Sequence, residues 1–195
     1  MYVDDLVLAS RTKGTINWVR VKLHQELDMT DLGQQSTFLG LEIQRNRSHR
    51  TLFLSQKTYI KKIIDNMGME DCNPTTTPAE PQIRLEKSSS TFEATAVDRL
   101  RYQSAVGSLI YAMLGSSPDI SYPVAKVRQF SVNPNSTHLT AVKRMFRYLA
   151  GTSNRGLYYG LEGTGIGFTD ADWGSRNDRQ LIGGFTFLLN GAAIS

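Results

Sequence analysis

The stretch Tyr2-Val3-Asp4-Asp5-Leu6-Val7-Leu8 places two adjacent carboxylates between two short apolar segments. This pattern predicts a strand, a tight turn and a second strand, with both acids at the turn. Magnesium takes oxygen ligands and often binds only one or two protein carboxylates, filling its other positions with water and phosphate oxygens. Asp4 and Asp5 would therefore suit a metal held against a nucleotide triphosphate. The alternative is an ordinary turn, because Asp is among the residues that dominate turns.

The composition is ordinary for a globular protein and excludes few functions by itself. The 195 residues suit one large domain, or one domain plus part of another, and 40% of them are hydrophobic. The single cysteine, Cys72, excludes an internal disulfide and fits a reducing compartment. Neither a signal peptide nor a membrane-spanning stretch of roughly 20 apolar residues is expected. The net charge of +4 is compatible with a polyanionic partner without demonstrating one.

Apolar residues recur at helical spacing in some segments and at strand spacing in others. The predicted helices cover residues 14–28, 56–67 with Ser55 as its cap, a stripe from Tyr102 to Met113 that ends at Gly115, a segment capped by Ser121, and 136–150. The predicted strands cover residues 38–43, 51–54, 156–159, 166–170, 184–189 and 192–194.

Residues 72–97 differ in composition from the segments on either side. Between Cys72 and Ser90 the sequence contains three prolines, three consecutive threonines and three consecutive serines. This composition predicts an extended linker stiffened by proline, and it is the strongest candidate for a domain boundary.

Two of the predicted helices carry basic residues away from their apolar stripes. These residues are Lys57, Lys61 and Lys62 on the first helix, and Lys143, Arg144 and Arg147 on the second. Such residues usually form a solvated face, and binding of nucleic-acid phosphates is the functional alternative. His138 lies in the first turn of the second helix. With no second His or Cys nearby, it is expected at the surface or in packing rather than on a metal.

The acidic turn and a series of later motifs together resemble one family. The motifs are Tyr2-Val3-Asp4-Asp5, Phe38-Leu39-Gly40, Leu54-Ser55-Gln56-Lys57, Asp71-Cys72-Asn73-Pro74, Val106-Gly107-Ser108-Leu109, Pro118-Asp119-Ile120, Arg147-Tyr148-Leu149 and Thr169-Asp170-Ala171-Asp172-Trp173. Tyr2-Val3-Asp4-Asp5 looks like the polymerase signature of reverse transcriptases. The ordered set, which covers essentially the whole chain, is similar to copia-type long terminal repeat retrotransposon Pol polyproteins.

The resemblance implies an α+β fold with four parts. Residues 1–71 would form a partial reverse-transcriptase palm with a thumb-like region, and 72–97 the linker. Residues 98–155 would form a helical connection, and 156–195 the truncated start of a ribonuclease H-like domain with an incomplete sheet.

The resemblance also implies roles for particular residues. Asp4 and Asp5 would hold catalytic Mg²⁺, and Asp170 matches the metal-binding Asp at the end of the first ribonuclease H strand. Tyr2 and the strand pair that contains Phe38, Leu39 and Gly40 would contact nucleic acid, the strand pair resembling the primer grip. Lys57, Lys61 and Lys62 would lie near phosphates of the duplex. For Gly40, an ordinary glycine in a hairpin remains the alternative to close approach by nucleic-acid backbone.

In the intact family the partners are an RNA/DNA template–primer duplex and deoxynucleotide triphosphates, with no membrane, and the location is intracellular, in the cytoplasm, the nucleus or both. Two-metal catalysis needs several carboxylates in a fixed geometry. The family's other palm Asp, the fingers and most of the ribonuclease H carboxylates are not among the residues of this sequence. We therefore expect a chain that is inactive alone. The alternative is a non-catalytic nucleic-acid-binding remnant or an inert relic of a transposon insertion.

Overall fold

The computed structural model describes residues 6–80, 83–89, 91–160, 163, 165–172 and 182–194. The chain divides into two compact units, Met1–Ser36 and Thr37–Ser195. The described residues of the first unit contain one helix. The second contains two antiparallel sheets and four helices among its described residues. The α+β class expected from the sequence is therefore confirmed. Within the described part of the chain, no helix has the length and apolar character needed to cross a bilayer.

In the first unit the helix α1 spans Lys13–Glu26, close to the predicted 14–28. Thr12 caps it, since its Oγ1 accepts a hydrogen bond from the Thr15 amide at 3.3 Å. The strand predicted after the acidic turn, at residues 6–9, is wrong, because these residues adopt neither helix nor strand. The side chain of Leu6 is 53% exposed there. An alternating apolar segment becomes a strand only where a neighbouring strand pairs with it, and a lone two-stranded hairpin is at best marginally stable.

The first sheet of the second unit has four antiparallel strands in chain order: β1 Thr37–Phe38, β2 Leu41–Asn46, β3 Thr51–Ser55 and β4 Leu157–Tyr159. The predicted continuous strand 38–43 is wrong, because the chain reverses at Leu39 and Gly40. These two residues have φ of +47° and +73°. Two successive positive φ values give a two-residue hairpin turn whose twist matches that of its strands. Phe38 consequently pairs with Leu41.

The fourth strand brings a distant part of the chain to this sheet. β4 pairs with β3, with Leu54 opposite Leu157 and Leu52 opposite Tyr159. Gly156 permits the approach, because a Cβ there would lie 2.2 Å from the carbonyl oxygen of Leu54. The strand expected to begin the ribonuclease H-like segment 156–195 thus belongs to the same sheet as residues 37–55. The four segment boundaries themselves stay predictions.

Four helices form the hydrophobic core: α2 Lys57–Asn66, α3 Ala96–Gly115, α4 Ser121–Arg128 and α5 Ser136–Thr152. The fully buried side chains at their centre are Leu109, Ala112, Ile120, Val142, Met145, Phe146 and Leu149. Helix boundaries predicted from periodicity agree with the structure within about two residues at most ends, as is usual for such assignments. Ile120 belongs to a short 3-10 turn, Pro118–Ile120, that leads directly into α4.

Part of the predicted linker lies along α5. Its described residues, 73–80 and 83–89, are called the strap here. The Thr75 amide donates to the Arg147 carbonyl at 3.4 Å, and the Ser88 hydroxyl donates to the Asn133 carbonyl at 2.8 Å. Asn133 also fixes the chain after the strap, accepting from the Ala94 amide at 2.8 Å. The described residues of the strap form neither helix nor strand, and the extended, proline-stiffened conformation stays a prediction. The strap is nevertheless held to the helical core at both ends.

The second sheet consists of β5 Ile166–Asp172, β6 Ile182–Leu189 and β7 Ala192–Ala193, in that order and antiparallel. The strands predicted at 166–170, 184–189 and 192–194 are confirmed in type. The Gly160 amide donates to the Asn190 carbonyl at 2.9 Å, which joins the end of β4 to the turn before β7. Large apolar side chains of this sheet stay exposed: Ile166, Phe168, Phe185, Phe187 and Leu189.

Candidate nucleic-acid interface

Three of the predicted site residues, Tyr2, Asp4 and Asp5, lie outside the described residues. The metal-binding role of the acidic turn therefore stays a prediction. In the part of the chain that the structure describes, no group of three or more His, Cys, Asp or Glu side chains is placed to hold a metal ion. The remaining predicted residues fall in three places: the β1–β2 turn, the outer face of α2 and the end of β5.

The β1–β2 turn is held by two tyrosines of the core helices, Tyr111 and Tyr59. The Tyr111 hydroxyl of α3 donates a hydrogen bond to the Leu39 carbonyl. Tyr111 packs edge-on against Tyr59 of α2, with ring centroids 4.8 Å apart, and the Tyr59 hydroxyl donates to the Ser108 carbonyl at 3.1 Å. Burial raises the pKa of Tyr59, so the hydroxyl stays a donor at neutral pH. The turn is thereby tied to two helices of the core.

Gly40 is required at this turn for two reasons. Its φ of +73° is a backbone conformation that L side chains rarely adopt. A Cβ at this position would also lie 3.3 Å from the Tyr111 hydroxyl oxygen. Leu39 beside it is 62% exposed, and Phe38 is half-buried. The turn presents one apolar side chain and a bare stretch of backbone to its surroundings.

The three predicted lysines form the outer face of α2. Lys57, Lys61 and Lys62 are exposed, while Ile60, Ile63 and Ile64 on the opposite face are buried. A helix with this division of residues packs by its apolar stripe and holds its ammonium groups in water. The three residues predicted to meet phosphate are therefore physically available to do so.

The start of α2 is capped by the hairpin rather than by Ser55. The predicted Ser55 cap is wrong, because Ser55 is the last residue of β3, pairs with Glu42 and is only 3% exposed. The Thr58 amide instead donates to Glu42 Oε1 at 2.8 Å. Hydrogen bonds from Thr58 hold the pKa of the Glu42 carboxyl below its usual value. Glu42 thus fixes the lysine-bearing helix to the strand that follows the turn.

The basic residues of α5 are used differently. Lys143 is exposed, but Arg144 donates to Glu80 Oε2 at 3.1 Å and to Thr77 Oγ1 at 3.0 Å. Arg147 donates from Nε to the Asn73 carbonyl at 2.6 Å. Both guanidinium groups therefore hold the strap. The sequence offered a solvated face or phosphate binding for these arginines, and the structure instead places both in intramolecular contacts.

Asp170 is exposed near the end of β5, opposite Gly184 of β6. The strand continues for two residues beyond Asp170, and the metal-binding role of Asp170 stays a prediction. His138 is fully buried and belongs to packing. It forms a capping box with Asn135 and stacks on Phe130 at 4.0 Å between ring centroids. Burial lowers the pKa of His138.

Several motif residues that carried the resemblance are brought together by the fold. The Tyr148 hydroxyl donates to the Asp119 carboxylate, and the pKa of Tyr148 is raised by burial and by that bond. The Ser116 hydroxyl donates to Gln56 Oε1 at 3.1 Å. A Cβ on Gly115 would come within 2.3 Å of the same oxygen. These motif residues thus connect elements that are far apart in sequence.

Sequence reasoning missed Tyr111, Glu42 and Asn133 as positioning residues. Tyr111 and Asn133 act across separations of 72 and 39 residues, and no local pattern reports such a contact.

Comparison with known proteins agrees with the motif pattern. A family model described as "Reverse transcriptase (RNA-dependent DNA polymerase)" matches residues 1–81, so the chain is reverse transcriptase-like. It is 37% identical over 200 residues to the retrovirus-related Pol polyprotein from transposon TNT 1-94 of Nicotiana tabacum, and 34% identical over 199 residues to that from transposon RE1 of Arabidopsis thaliana. An uncharacterized mitochondrial protein of Arabidopsis thaliana is 37% identical over 192 residues. The chain belongs to the copia-type retrotransposon Pol polyprotein family.

The matches differ in how much of each relative they cover. The two polyprotein alignments include 100% of this chain but only 15% and 13% of the relatives. The alignment with the mitochondrial protein includes 96% of this chain and 77% of the relative. No solved structure matches the chain. The family is therefore established over the whole chain, which spans a small part of the polyproteins.

Proposed function

We propose that this chain is the carboxy-terminal part of a reverse-transcriptase palm with a thumb-like helix, followed by a helical connection and the start of a ribonuclease H-like domain. In the intact polyprotein this part would help to copy RNA into DNA. Family membership and the reverse-transcriptase match over residues 1–81 support the proposal. The expected partners are a template–primer duplex and deoxynucleotide triphosphates, at an intracellular site in the cytoplasm, the nucleus or both.

One observation carries the proposal furthest: a rigid turn and a lysine-bearing helix are fixed to the same strand. Tyr111 holds the Leu39 carbonyl at the tip, and Glu42 holds the start of α2. A bare backbone turn can approach a nucleic-acid strand closely, and ammonium groups beside it neutralise phosphates. Because both elements are joined to β2, by the chain at the turn and by the Glu42–Thr58 hydrogen bond at α2, a duplex that contacts both would be held in one orientation.

The proposed chemistry belongs to the acidic turn. Asp4 and Asp5 are oxygen donors of the kind that Mg²⁺ binds, and the metal would stabilise the charge that develops as a phosphoryl group is transferred. Asp170 would contribute one carboxylate to a second metal site. Two-metal sites require several carboxylates. We propose that the chain lacks polymerase and nuclease activity by itself.

A primer-extension assay tests the catalytic part of the proposal. The full chain is given a primed template, Mg²⁺ and nucleotides, and the expected result is no extension. Extension that disappears in Asp4→Asn would overturn the claim that the chain is inactive alone, while supporting the metal-binding role of Asp4.

Binding to a primer–template duplex tests the nucleic-acid part. We expect binding that weakens steeply with salt, with a slope that falls by about 0.9 for each phosphate contact removed. The triple variant Lys57→Ala, Lys61→Ala and Lys62→Ala should lower the slope by roughly 2–3, whereas Lys87→Ala with Lys143→Ala should leave it nearly unchanged. Equal effects of the two variants would contradict a role specific to α2.

The second candidate is a nucleic-acid-binding remnant without chemistry. The exposure of the three α2 lysines favours this candidate. Arg144 and Arg147, which were expected to bind phosphate in it, instead form hydrogen bonds with the strap. The remnant would be favoured if this chain binds a duplex in a salt-dependent way and no longer polyprotein segment that contains it extends a primer. Absence of duplex binding would leave an inert relic.

A further inference from the structure

The hairpin that joins β2 to β3 ends in a basic turn, residues 47–50, called the arginine tip here. Arg47 and Arg50 in this turn are exposed, as is Arg45 near the end of β2. Residues 43–64 contain six Lys or Arg and no Asp or Glu. In the part of the chain that the structure describes, none of the three arginines forms an ion pair. The arginine tip therefore offers uncompensated positive charge to an anion.

The arginine tip is an ordered turn. The Asn46 side chain accepts hydrogen bonds from the Ser48 hydroxyl at 2.7 Å and from the His49 amide at 3.1 Å. Arg50 has φ of +50°, a left-handed conformation that Gly and Asn adopt more readily than a residue with a long side chain. The hydrogen bonds that hold the described turn do not use the Arg50 guanidinium. An arginine thus stands where the backbone favours a smaller residue, which indicates a role for its charge.

One face of the first sheet carries two aromatic side chains, Phe53 and Tyr158, called the aromatic row here. Gln44 of β2 pairs with Phe53 of β3, and Phe53 pairs with Tyr158 of β4. Residues directly opposite one another in antiparallel strands point to the same face of the sheet. Tyr158 is 57% exposed, Phe53 is half-buried and Gln44 is exposed. Because neighbouring strands lie about 4.8 Å apart, the two aromatic side chains stand side by side on that face.

Glycines leave room around both rings of the aromatic row. Gly156 and Gly160 lie two residues before and two residues after Tyr158 in the sequence. A Cβ on Gly156 would lie 2.9 Å from Phe53 Cζ, and a Cβ on Gly160 would lie 3.7 Å from Tyr158 Cε1. Both rings thus extend over backbone that carries no side chain. Such a ring is open to a second flat ring, and the bases of single-stranded nucleic acid stack on aromatic side chains in this way.

The distance between the aromatic row and the arginine tip suits a nucleic-acid strand. Gln44, which is level with the row, is three residues before Arg47, and three residues of a strand span about 10 Å. Stacked nucleotides follow one another at about 3.4 Å, so this distance is the length of about three nucleotides. A strand whose bases stack on the aromatic row would therefore bring its own phosphates to the arginine tip. Guanidinium groups bind phosphate through two parallel hydrogen bonds.

We propose that the aromatic row and the arginine tip together bind single-stranded nucleic acid. Unpaired bases have free faces that stack on aromatic side chains, whereas the bases of a duplex stack on one another. The charge alone would also suit an anionic membrane, but two adjacent rings on a sheet face favour bases. The β1–β2 turn and the start of α2 lie at one end of β2, and the arginine tip lies at the other end, about 17 Å away. The site is therefore separate from the proposed duplex contacts and does not depend on them.

Fluorescence anisotropy of a labelled single strand of roughly 12 nucleotides, titrated with the full chain at several salt concentrations, tests the proposal. Binding should weaken with salt, and each phosphate contact removed should lower the slope by about 0.7 for a single strand. Arg47→Gln with Arg50→Gln should therefore lower the slope by about 1.4. Arg84→Gln with Arg128→Gln, at two exposed arginines elsewhere, is the charge-matched control and should leave it unchanged. Equal effects of the two pairs would overturn the proposal.

Tyr158→Thr tests the contribution of base stacking. It should weaken single-strand binding by about fivefold or more, and it keeps a residue that favours strands. Tyr122→Ala, at a tyrosine of α4 that is 62% exposed, is the control and should leave the affinity unchanged. Unchanged affinity in Tyr158→Thr would overturn the proposal. Arginine-dependent binding of phosphatidylserine vesicles in the same series would then assign the arginine tip to a membrane surface.

Arg50→Asn separates binding from folding. Because Asn tolerates positive φ, the urea midpoint should stay the same or rise while single-strand affinity falls. A lower midpoint would mean that Arg50 serves the fold and would overturn the proposal. The triple variant Lys57→Ala, Lys61→Ala and Lys62→Ala should weaken duplex binding and change single-strand affinity by less than about twofold, so the two roles can fail separately. A wild-type chain that binds no single strand at low salt would overturn the proposal, whether or not it binds a duplex.

Discussion

At the scale of single residues, the β1–β2 turn shows how a distant side chain decides a local conformation. The sequence Phe38-Leu39-Gly40 alternates like a strand and lacks the Asn-Gly or Asp-Gly pair that announces a tight hairpin. A leucine with φ of +47° is uncommon. The hydrogen bond from the Tyr111 hydroxyl to the Leu39 carbonyl supports this conformation from α3. Because that bond spans 72 residues, local pattern could not predict the turn.

We predict that Gly40→Ala lowers the free energy of unfolding by about 1–2 kcal/mol. The new Cβ would be held at a positive φ and would press on the Tyr111 hydroxyl oxygen. Urea denaturation followed by circular dichroism measures the change. Gly68→Ala is the matched control, since Gly68 has φ of +62° with nothing within 4 Å. If both substitutions have the same effect, Tyr111 does not constrain the turn.

His138 illustrates a buried group whose charge the fold disfavours. Its Nδ1 accepts from the Asn135 amide at 3.0 Å, and Nε2 lies 2.8 Å from the Glu86 carbonyl. The neutral ring satisfies both contacts, accepting at one nitrogen and donating at the other, whereas a protonated Nδ1 has no lone pair to accept with. Burial accordingly lowers the pKa of His138 in the folded chain.

We predict that acid weakens the fold through His138. With the folded pKa below the unfolded value of about 6.5, the unfolded chain binds the proton more readily. The contribution of the neutral ring is complete above that pH and is lost as the pH falls toward the folded pKa. Thermal melting between pH 7.5 and 5 should show a smaller decrease in Tm for His138→Gln than for wild type. His49→Gln, at an exposed histidine, should behave like wild type.

At the scale of elements, the periodicity of apolar residues predicted where the helices lie but not which residues they contact. The stripes in α1, α2 and α5 repeat within a few turns, so the sequence contains the information directly. Proline and threonine content likewise predicted a linker, and the described residues of the strap form neither helix nor strand. That the strap lies along α5 depends on Arg144 and Arg147, whose partners are 64 and 74 residues earlier in the chain. Composition therefore predicted a linker in this segment but not its contacts with α5.

We predict that Arg147→Ala loosens the strap. The Nε donor to the Asn73 carbonyl is lost, and net hydrogen bonds involving a charged group contribute about 1.5–3 kcal/mol. Limited proteolysis with a non-specific protease should cleave within residues 73–89 several times faster than in wild type. Lys143→Ala, which removes an exposed cation one turn earlier on α5, is the control. Unchanged cleavage in Arg147→Ala would mean that the backbone contacts of the strap suffice.

At the scale of the whole molecule, the pairing of β3 with β4 unites the second unit. It brings residues 157–159 to a sheet that begins at Thr37, across the entire helical core. The sequence predicted a strand at 156–159 because Leu157, Tyr158 and Tyr159 favour strands. The sequence could not predict which strand pairs with it. Nearby residues determine whether a segment forms a strand, whereas its pairing partner lies far away in the chain. The resemblance to known polyproteins did not supply that partner either.

We predict that Gly156→Ala breaks this pairing. The added Cβ would lie 2.2 Å from the Leu54 carbonyl oxygen, which is backbone and cannot turn aside. Overpacking of this kind lowers stability by about 1–3 kcal/mol, and amide exchange in β3 should accelerate. At Gly160 a Cβ would make an ordinary contact of 3.7 Å with Tyr158, so Gly160→Ala should have little effect. Equal protection of β3 in both variants would contradict the assignment.

The β3–β4 pair also has a consequence for synthesis on the ribosome. Leu54 and its partner Leu157 are about 100 residues apart, so β3 leaves the exit tunnel roughly 5–20 s before β4 does. During that interval the apolar strand Thr51–Ser55 is an open sheet edge, which is a site for pairing with other chains. Nascent chains stalled before residue 157 should therefore recruit chaperones or aggregate, whereas chains stalled well after residue 160 should not.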